Sequence, residues 1–341
     1  MGTTRDWLPE STGGGGALVD AAGRRIVVEE AIAEREHGVV SRVRVEGRLC
    51  ALKVARTRAD NPWIVHERSA GRDARARSAG VVEVLQDVVL PDEREGFLMP
   101  WYPETAAAWL PGQPLERRLA FAAEVCAIVA ALHAPDGEGR FLVHRDPKPD
   151  NIFVGPHGAA VLGDFSIAAR STGVTACWGA SLGSDGWAGP AQRLPWDAPP
   201  EPGWDVAGLS CLVYFAVTGV PPRSHLRLQR FLRGPDRLKA GLERRDAQQV
   251  FDLGAFRSAV VEDAAELERR VLERAGARGR ALVGLGPLFR QAAEAGFPDA
   301  ARPLSAAALG TGIRALLEQP VEADPPVRRA PLAQPAPAQP G

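Results

Sequence analysis

The sequence of 341 residues predicts an α+β fold, a small antiparallel sheet followed by a larger helical portion. Two patterns carry that reading. Short β-branched runs broken by Gly and charge crowd residues 24–102, whereas apolar residues at helical spacing dominate the chain beyond them. At 45% apolar content the chain can bury a substantial core.

Taken in order, residues 1–22, with GGGG at 13–16, read as a flexible lead-in, because consecutive glycines lose much backbone entropy on ordering. RRIVVEEAIA, VVSRVRVEG and RLCALKVAR then read as antiparallel strands over residues 24–56. Asp60 ahead of Asn61 and Pro62 predicts a helix start, the Asp as the capping side chain. GVVEVLQDVVL and EGFLMPWY supply two further strands. PLERRLAFAAEVCAIVAALHA keeps helical spacing over about five turns. GLSCLVYFAVTGV, Gly208–Val220, is too short to cross about 30 Å of hydrocarbon and reads as a helix buried in protein. The tail 319–341, rich in Pro and Ala, reads as disordered.

A formal net charge of −1 gives no broad field for nucleic acid or an anionic membrane. Cys50, Cys126, Cys177 and Cys211 form no CxxC pair and no zinc-ligand cluster with His. No basic and then apolar leader opens the chain, and the expected location is the cytoplasm.

The chemistry concentrates in LVHRDPKPDNIFVGPHGAAVLGDFS, Leu142–Ser166, where ionisable groups sit between runs that read as buried strands. Magnesium favours carboxylate, amide and phosphate oxygens, and phosphoryl transfer needs a group that orients the attacking hydroxyl. His144, Arg145, Asp146, Lys148 and Asn151 spell HRDxKxxN, and Asp164 follows in DFS after the strand-like AAVLG. This resembles the protein kinase family, whose signature is HRDLxxxN followed by DFG, and in particular bacterial eukaryotic-like (Hanks-type) serine/threonine kinases. The resemblance implies a bilobal protein kinase-like fold, with an N-lobe over about 23–102 and a C-lobe over about 103–318. It implies Asp146 as the base toward the substrate hydroxyl, Lys148 beside the transferring phosphate, and Asn151 and Asp164 as magnesium ligands. Lys148 two residues after the Asp is the family's serine/threonine pattern. The chain has only three lysines among 41 basic residues, and a second, Lys53, lies in ALKVA, which resembles the third-strand VAIK motif. The same likeness puts Ala51, Val40, Met99 and Trp101 around adenine, and Lys53, paired with Glu67, on the α and β phosphates. A bias to Arg and Ala points to a GC-rich bacterial genome.

Three departures from the family stand out. The phosphate-covering loop GxGxxGxV reads AEREHGVV, with Ala33 and Arg35 in place of two glycines and only Gly38 kept. Arg35 either reaches phosphate or is an exposed hairpin arginine. Ser166 replaces the Gly of DFG, and Pro147 the usual Leu of the catalytic loop. At the end of the activation segment GSDGWAGPA resembles GTxxYxAPE, making Ser184 the hydroxyl beside Asp146 and Lys148. Ala191 then stands where a Glu should pair with Arg302, leaving Arg302 for a partner such as Glu201. Asp205 in WDVAGL resembles the Asp that braces the catalytic loop. Ser171, Thr172, Thr175 and Ser181 are candidate autophosphorylation sites, with Arg145 as the receiver.

Residues 223–285 exceed the family minimum and read as inserted charged helices, a candidate partner surface. The expected function is transfer of the γ-phosphoryl group of ATP, with Mg2+, to a protein hydroxyl. The alternative is a pseudokinase scaffold. A small-molecule kinase of the aminoglycoside type, with HGDxxxxN, fits Arg145 and Lys148 less well.

Overall fold

The computed structural model describes residues 17–171, 183–194, 199–233, 251–300 and 303–320. The fold is α+β. Strands β1 (Ala17–Val19), β2 (Arg25–Glu34), β3 (Gly38–Val45), β4 (Arg48–Ala55), β5 (Gln86–Val89) and β6 (Glu95–Pro100) form one antiparallel sheet ordered β1-β2-β3-β4-β6-β5. The lead-in expected to run to residue 22 therefore gives way at Ala17, because Leu18 is apolar enough to be buried against the sheet while Ala17–Val19 pair with Arg25–Val27.

Strand β4 is buried on both faces, and its period-two alternation sorts the side chains. Cys50, Leu52 and Val54 join Leu18, Ile26, Val43 and Leu98 in one apolar cluster. Ala51 and Ala55 join Ile64, Phe97 and Met99 in another, on the face that also carries Lys53. Helix α1 (Asn61–Arg77) covers this second face, with Ile64, Glu67, Ala70, Gly71 and Ala74 buried at helical spacing. Its start falls where Pro62 predicts, but Asp60 is not its side-chain cap: that carboxylate accepts from Thr57 N (3.0 Å), Thr57 Oγ1 (2.7 Å) and the His37 ring. The strand expected across residues 80–90 forms only at β5. Val81 and Val82 instead bridge to Leu162, which ties the sheet to the helical portion.

The helical portion comprises α2 (Ala106–Trp109), α3 (Leu115–His133), α4 (Pro190–Arg193), α5 (Pro202–Thr218), α6 (Arg223–Arg233), α7 (Leu253–Ala281), α8 (Leu285–Glu294) and α9 (Ala306–Glu318). Its core runs through α3 and α5, with Phe121, Leu132, Leu209, Leu212, Phe289 and Leu309 buried. Each such side chain contributes about 1.5–3 kcal/mol by leaving water. Helix α5 is the buried helix expected at 208–220, buried nearly all round, and it stops at Gly219, whose φ of +81° suits only a residue without Cβ. Helix α7 spends its apolar face internally, through Phe256, Val260, Leu267 and Val271. Its Asp263 accepts from Arg223 N (3.1 Å) and Ser224 N (2.9 Å) at the start of α6. The described part of 223–285 thus contributes to the core, and α7 leaves exposed a mainly charged face carrying Glu266, Arg269 and Glu273 together with Val261 and Leu272.

Candidate functional site

Two small ladders bring the charged loops together. Strands β7 (Leu142–Val143) and β10 (Ala169–Arg170) pair, as do β8 (Ile152–Val154) and β9 (Ala160–Leu162). The loops 144–151 and 163–168 are thereby held side by side. Buried Asp205, from α5, fastens the first: it accepts from His144 N at 2.8 Å, Arg145 N at 2.6 Å and the His133 ring at 2.9 Å. Burial works against its charge, yet the His133 hydrogen bond and the nearby imidazoles hold its carboxyl below the ordinary range. Such support matters because Arg145 sits at φ +69° and Asp164 at φ +59°, a left-handed backbone that side-chain-bearing residues adopt at a cost. His144 accepts from Asp146 N at Nδ1 (3.2 Å), so its Nε2 donates to Gly163 O (2.9 Å), linking the two loops.

Asp146 lies at the centre of a polar network. Its Oδ2 receives Lys148 Nζ at 2.7 Å, Asn151 Nδ2 at 2.8 Å and Ser184 Oγ at 2.9 Å. Its Oδ1 receives Ser184 N at 3.0 Å. Lys148 Nζ also donates to Ser184 Oγ. Asn151 spends its amide nitrogen on Asp146 O and Oδ2, so its carbonyl oxygen is the acceptor atom that side chain has left for a ligand.

A second network stands opposite. Lys53 Nζ lies 2.7 Å from Glu67 Oε2 and 3.4 Å from Asp164 Oδ1. Burial disfavours the ammonium, but the Asp164 and Glu67 charges outweigh it and hold Lys53 protonated above its ordinary range. Burial pushes the Glu67 carboxyl up to about 7 against the pull of Lys53, with the Asp164 charge adding to the rise. Asp164 moves the other way: despite burial, Lys53, a hydrogen bond from Ser166 and Lys148 hold it well below the usual carboxylate range.

Both networks line one polar cleft of about 680 Å³. An apolar pocket of about 210 Å³ adjoins it and shares Lys53, Glu67, Asn151 and Asp164 with it. Val40, Ala51, Met99 and Trp101 line that pocket, with Phe153 and Phe165. The register of β3 on β4 sets Val40 opposite Lys53, and that of β4 on β6 sets Ala51 opposite Met99. Gly38 lets β3 pack closely: a Cβ there would stand a tight 3.2 Å from both Ile64 Cδ1 and Val54 O. The twelve residues given catalytic, nucleotide-binding or magnesium-binding roles from the sequence thus surround two adjoining cavities.

No family model matches the chain. Over 209 residues it is 31% identical to serine/threonine-protein kinase PknK of Mycobacterium tuberculosis (strain CDC 1551 / Oshkosh), covering 56% of this chain and 18% of that one. PknK of Mycobacterium bovis aligns to the same extent. Over 82 residues it is 39% identical to serine/threonine-protein kinase PknA of Mycobacterium tuberculosis (strain ATCC 25177 / H37Ra), 24% of this chain and 19% of that one. The chain is distantly similar to mycobacterial serine/threonine kinases. It spans about a fifth of the length of these curated relatives.

Sequence reasoning missed several supports. His133, on α3, bonds Asp205 across the core, and no local pattern marks it. Gln192 Nε2 donates to Arg145 O at 2.6 Å, and Arg193 holds Gly183 O and Asp185 beside Ser184. Ala191, expected to leave a gap where an acidic residue should be, is buried and donates its backbone N–H to Gly296 O at 2.8 Å. There the chain closes on small residues, since a Cβ on Gly189 would lie 3.1 Å from Gly296 Cα. Glu201 is exposed. Arg302, Thr172, Thr175, Ser181 and Cys177 lie outside the described residues. Ser171 is engaged in backbone pairing with Phe141, its Oγ accepting from Phe141 N at 3.0 Å, and Arg145 is buried with its Nε donating to Ile167 O.

Proposed function

We propose that this chain is an ATP-dependent serine/threonine protein kinase with a bilobal kinase-like fold, acting in the bacterial cytoplasm on a protein hydroxyl. One observation carries the reading: the Asp146–Lys148–Asn151–Ser184 network and the Lys53–Glu67–Asp164 network face each other across one cleft, next to an apolar pocket.

In this reading adenine occupies the apolar pocket against Val40, Ala51, Met99 and Trp101. Lys53, oriented by Glu67, meets the α and β phosphates. The substrate hydroxyl displaces Ser184 Oγ from Asp146, whose carboxylate orients it and takes its proton. The hydroxyl oxygen bonds to the γ-phosphorus as the bond to the β,γ-bridging oxygen breaks, ADP leaves, and Lys148 lies beside the charge that passes between them. Among the described residues no group of three or more His, Cys, Asp or Glu gathers to hold a metal unaided. The Asn151 carbonyl oxygen and the Asp164 carboxylate are the hard oxygen donors that magnesium takes, with phosphate oxygens and water making up the rest. Bound there, magnesium would neutralise charge on the phosphates.

The test is labelled-phosphate transfer from ATP to a generic acceptor protein. The wild-type protein incorporates label, and Asp146→Asn loses about 10²–10⁴-fold of the rate. Equal labelling by the two proteins would overturn the catalytic reading.

The second reading is a nucleotide-binding or protein-binding scaffold, supported by Ala33 and Arg35 in the cover and by Ala191 in the segment. A scaffold that keeps the nucleotide would raise its thermal midpoint with ATP but transfer no phosphate, whereas one that binds protein alone would not respond to millimolar ATP.

A further inference from the structure

The β2–β3 turn, Arg35–His37, is glycine-poor yet well fixed. Arg35 N donates to Gly38 O at 2.8 Å, and Glu34 pairs with Val39. The His37 ring stacks on Trp63 of α1 with centroids 4.2 Å apart and planes within 4°, and its Nδ1 lies 3.0 Å from Asp60 Oδ1. The turn is therefore tied to α1 on one side and to the sheet on the other. Side chains at positions 33 and 35 restrict how closely its backbone amides can approach a ligand.

Its one cation faces the ligand space. Arg35 is exposed and lines both the polar cleft and the apolar pocket, along with Lys53, Asn151 and Asp164. The acidic neighbours of the turn are taken: Glu34 pairs with Arg56, Glu36 lies nearest His37, and Asp60 holds His37 and Thr57. Among the described residues Arg35 has no ion pair of its own. A guanidinium left free at the rim of a cleft, where apolar pocket passes into polar cavity, matches an anion that spans that junction. A planar fork suits phosphate oxygens, to which it can make two parallel hydrogen bonds.

We propose that Arg35 binds the distal phosphates of a nucleoside di- or triphosphate through its side chain, replacing the backbone cradle that a glycine-rich turn would supply. This rests on the reading of the cleft as a nucleotide site. It makes affinity depend on the charge of the phosphates, while the nucleoside itself is held by the apolar pocket alone.

Equilibrium binding to the whole chain separates the two. MgATP and adenosine are titrated into wild type, Arg35→Ala and Arg35→Lys. Arg35→Ala weakens MgATP by about tenfold or more, Arg35→Lys by less, and neither changes adenosine binding. An MgATP affinity within about twofold of wild type in Arg35→Ala overturns this proposal and leaves the nucleotide site standing. Equal weakening of MgATP and adenosine also overturns it, since it marks a structural role for Arg35. A wild-type protein that binds neither ligand overturns the nucleotide site and this proposal with it. Loss of MgATP affinity in Arg35→Ala, in a protein that transfers no phosphate, supports the proposal independently of catalysis.

Discussion

The floor and the roof of the cleft are built on different principles. The floor, residues 144–151 with Asp164, is polar and mostly buried apart from exposed Asp150, with Asp146 meeting Lys148, Asn151 and Ser184, and two of its residues hold a left-handed backbone that Asp205 and its neighbours pin in place. The roof, residues 35–37, is exposed at Arg35 and Glu36 and is held by one aromatic stack, one side-chain hydrogen bond and the strand ladder. An over-determined network fixes reacting groups to within fractions of an ångström but tolerates little change. A turn held by fewer contacts tolerates more substitution, and this one carries side chains at positions 33 and 35.

Breaking the floor should have the largest effect. Asp205→Ala leaves two buried backbone N–H groups and the His133 ring without their acceptor, and should cost about 3–5 kcal/mol in urea unfolding. Asp205→Asn keeps an acceptor oxygen and should cost less. If Asp205→Ala unfolds at the wild-type midpoint, the floor owes its shape to the ladders β7–β10 and β8–β9 instead.

The next largest effect belongs to Glu67, which holds Lys53 opposite Asp164. With its carboxyl pushed up to about 7 from an ordinary 4.5, Glu67 takes up a proton as pH falls below 7 and releases its hold on Lys53. MgATP affinity and any transfer activity should therefore fall toward acid, approaching tenfold per unit well below pH 7. Stability has the opposite sign. A raised folded-state value means the folded chain binds the proton more tightly, so this contribution is full below about pH 4.5 and is lost as pH rises through about 7. Glu67→Gln should flatten both profiles in that window. An unchanged acid limb in Glu67→Gln would assign it to another group, with Asp164 and Lys53 the charged neighbours facing the site.

The sequence was most informative where function is compressed into contiguous residues. Asp146, Lys148 and Asn151 share one loop, so a contiguous likeness to the kinase HRDxxxxN motif picked them out, and the likeness of ALKVA to VAIK picked out Lys53 and with it Glu67 on the next helix. The sheet was legible from its β-branched alternation, and α3 and α5 from helical spacing. What stayed hidden depends on contacts between residues far apart in the chain. His133 reaches Asp205 across the core, and Gly189, Ala207 and Gly296 matter only through what they lack. Asp60, expected as a helix cap, is instead taken up by Thr57 just before it and by His37 from a turn far back in the chain. In the described part of 223–285, expected as inserted charged helices, the apolar residues of α7 that join the core are spread at helical intervals beneath a charged face that dominates composition.

Those small residues give the third prediction, of intermediate size. A Cβ on Gly296 would lie 2.7 Å from Ala207 Cβ and 3.4 Å from Gly189 Cα, where α4 closes on the 295–297 turn. Gly296→Ala should cost about 1–3 kcal/mol by overpacking. Because Gln192 holds Arg145 O and Arg193 holds Gly183 O and Asp185 on either side of Ser184 from that same helix, it should also slow any transfer more than it weakens MgATP. Equal loss of rate and of affinity would mean that the strain spreads through the whole cleft.

The roof should give the smallest effect. His37→Ala removes the Trp63 stack and the Asp60 hydrogen bond together, and aromatic pairs are worth about 0.5–1.5 kcal/mol beyond the area they bury. The β2–β3 ladder and the Arg35–Gly38 backbone bond remain, so the strands should keep their register and the loss in unfolding free energy should stay near that range. Asp60 also keeps Thr57, which limits the damage at the start of α1. The consequence for ligand is indirect: a turn free to swing offers the Arg35 guanidinium over a wider volume, and ordering it on binding costs entropy. MgATP should weaken a few-fold, by less than in Arg35→Ala, with adenosine unchanged. His37→Phe restores a stacking ring without the hydrogen bond and should recover part of both losses. If His37→Ala binds MgATP as tightly as wild type while Arg35→Ala does not, the ladder alone places the guanidinium, and the stack on Trp63 serves only to cover α1.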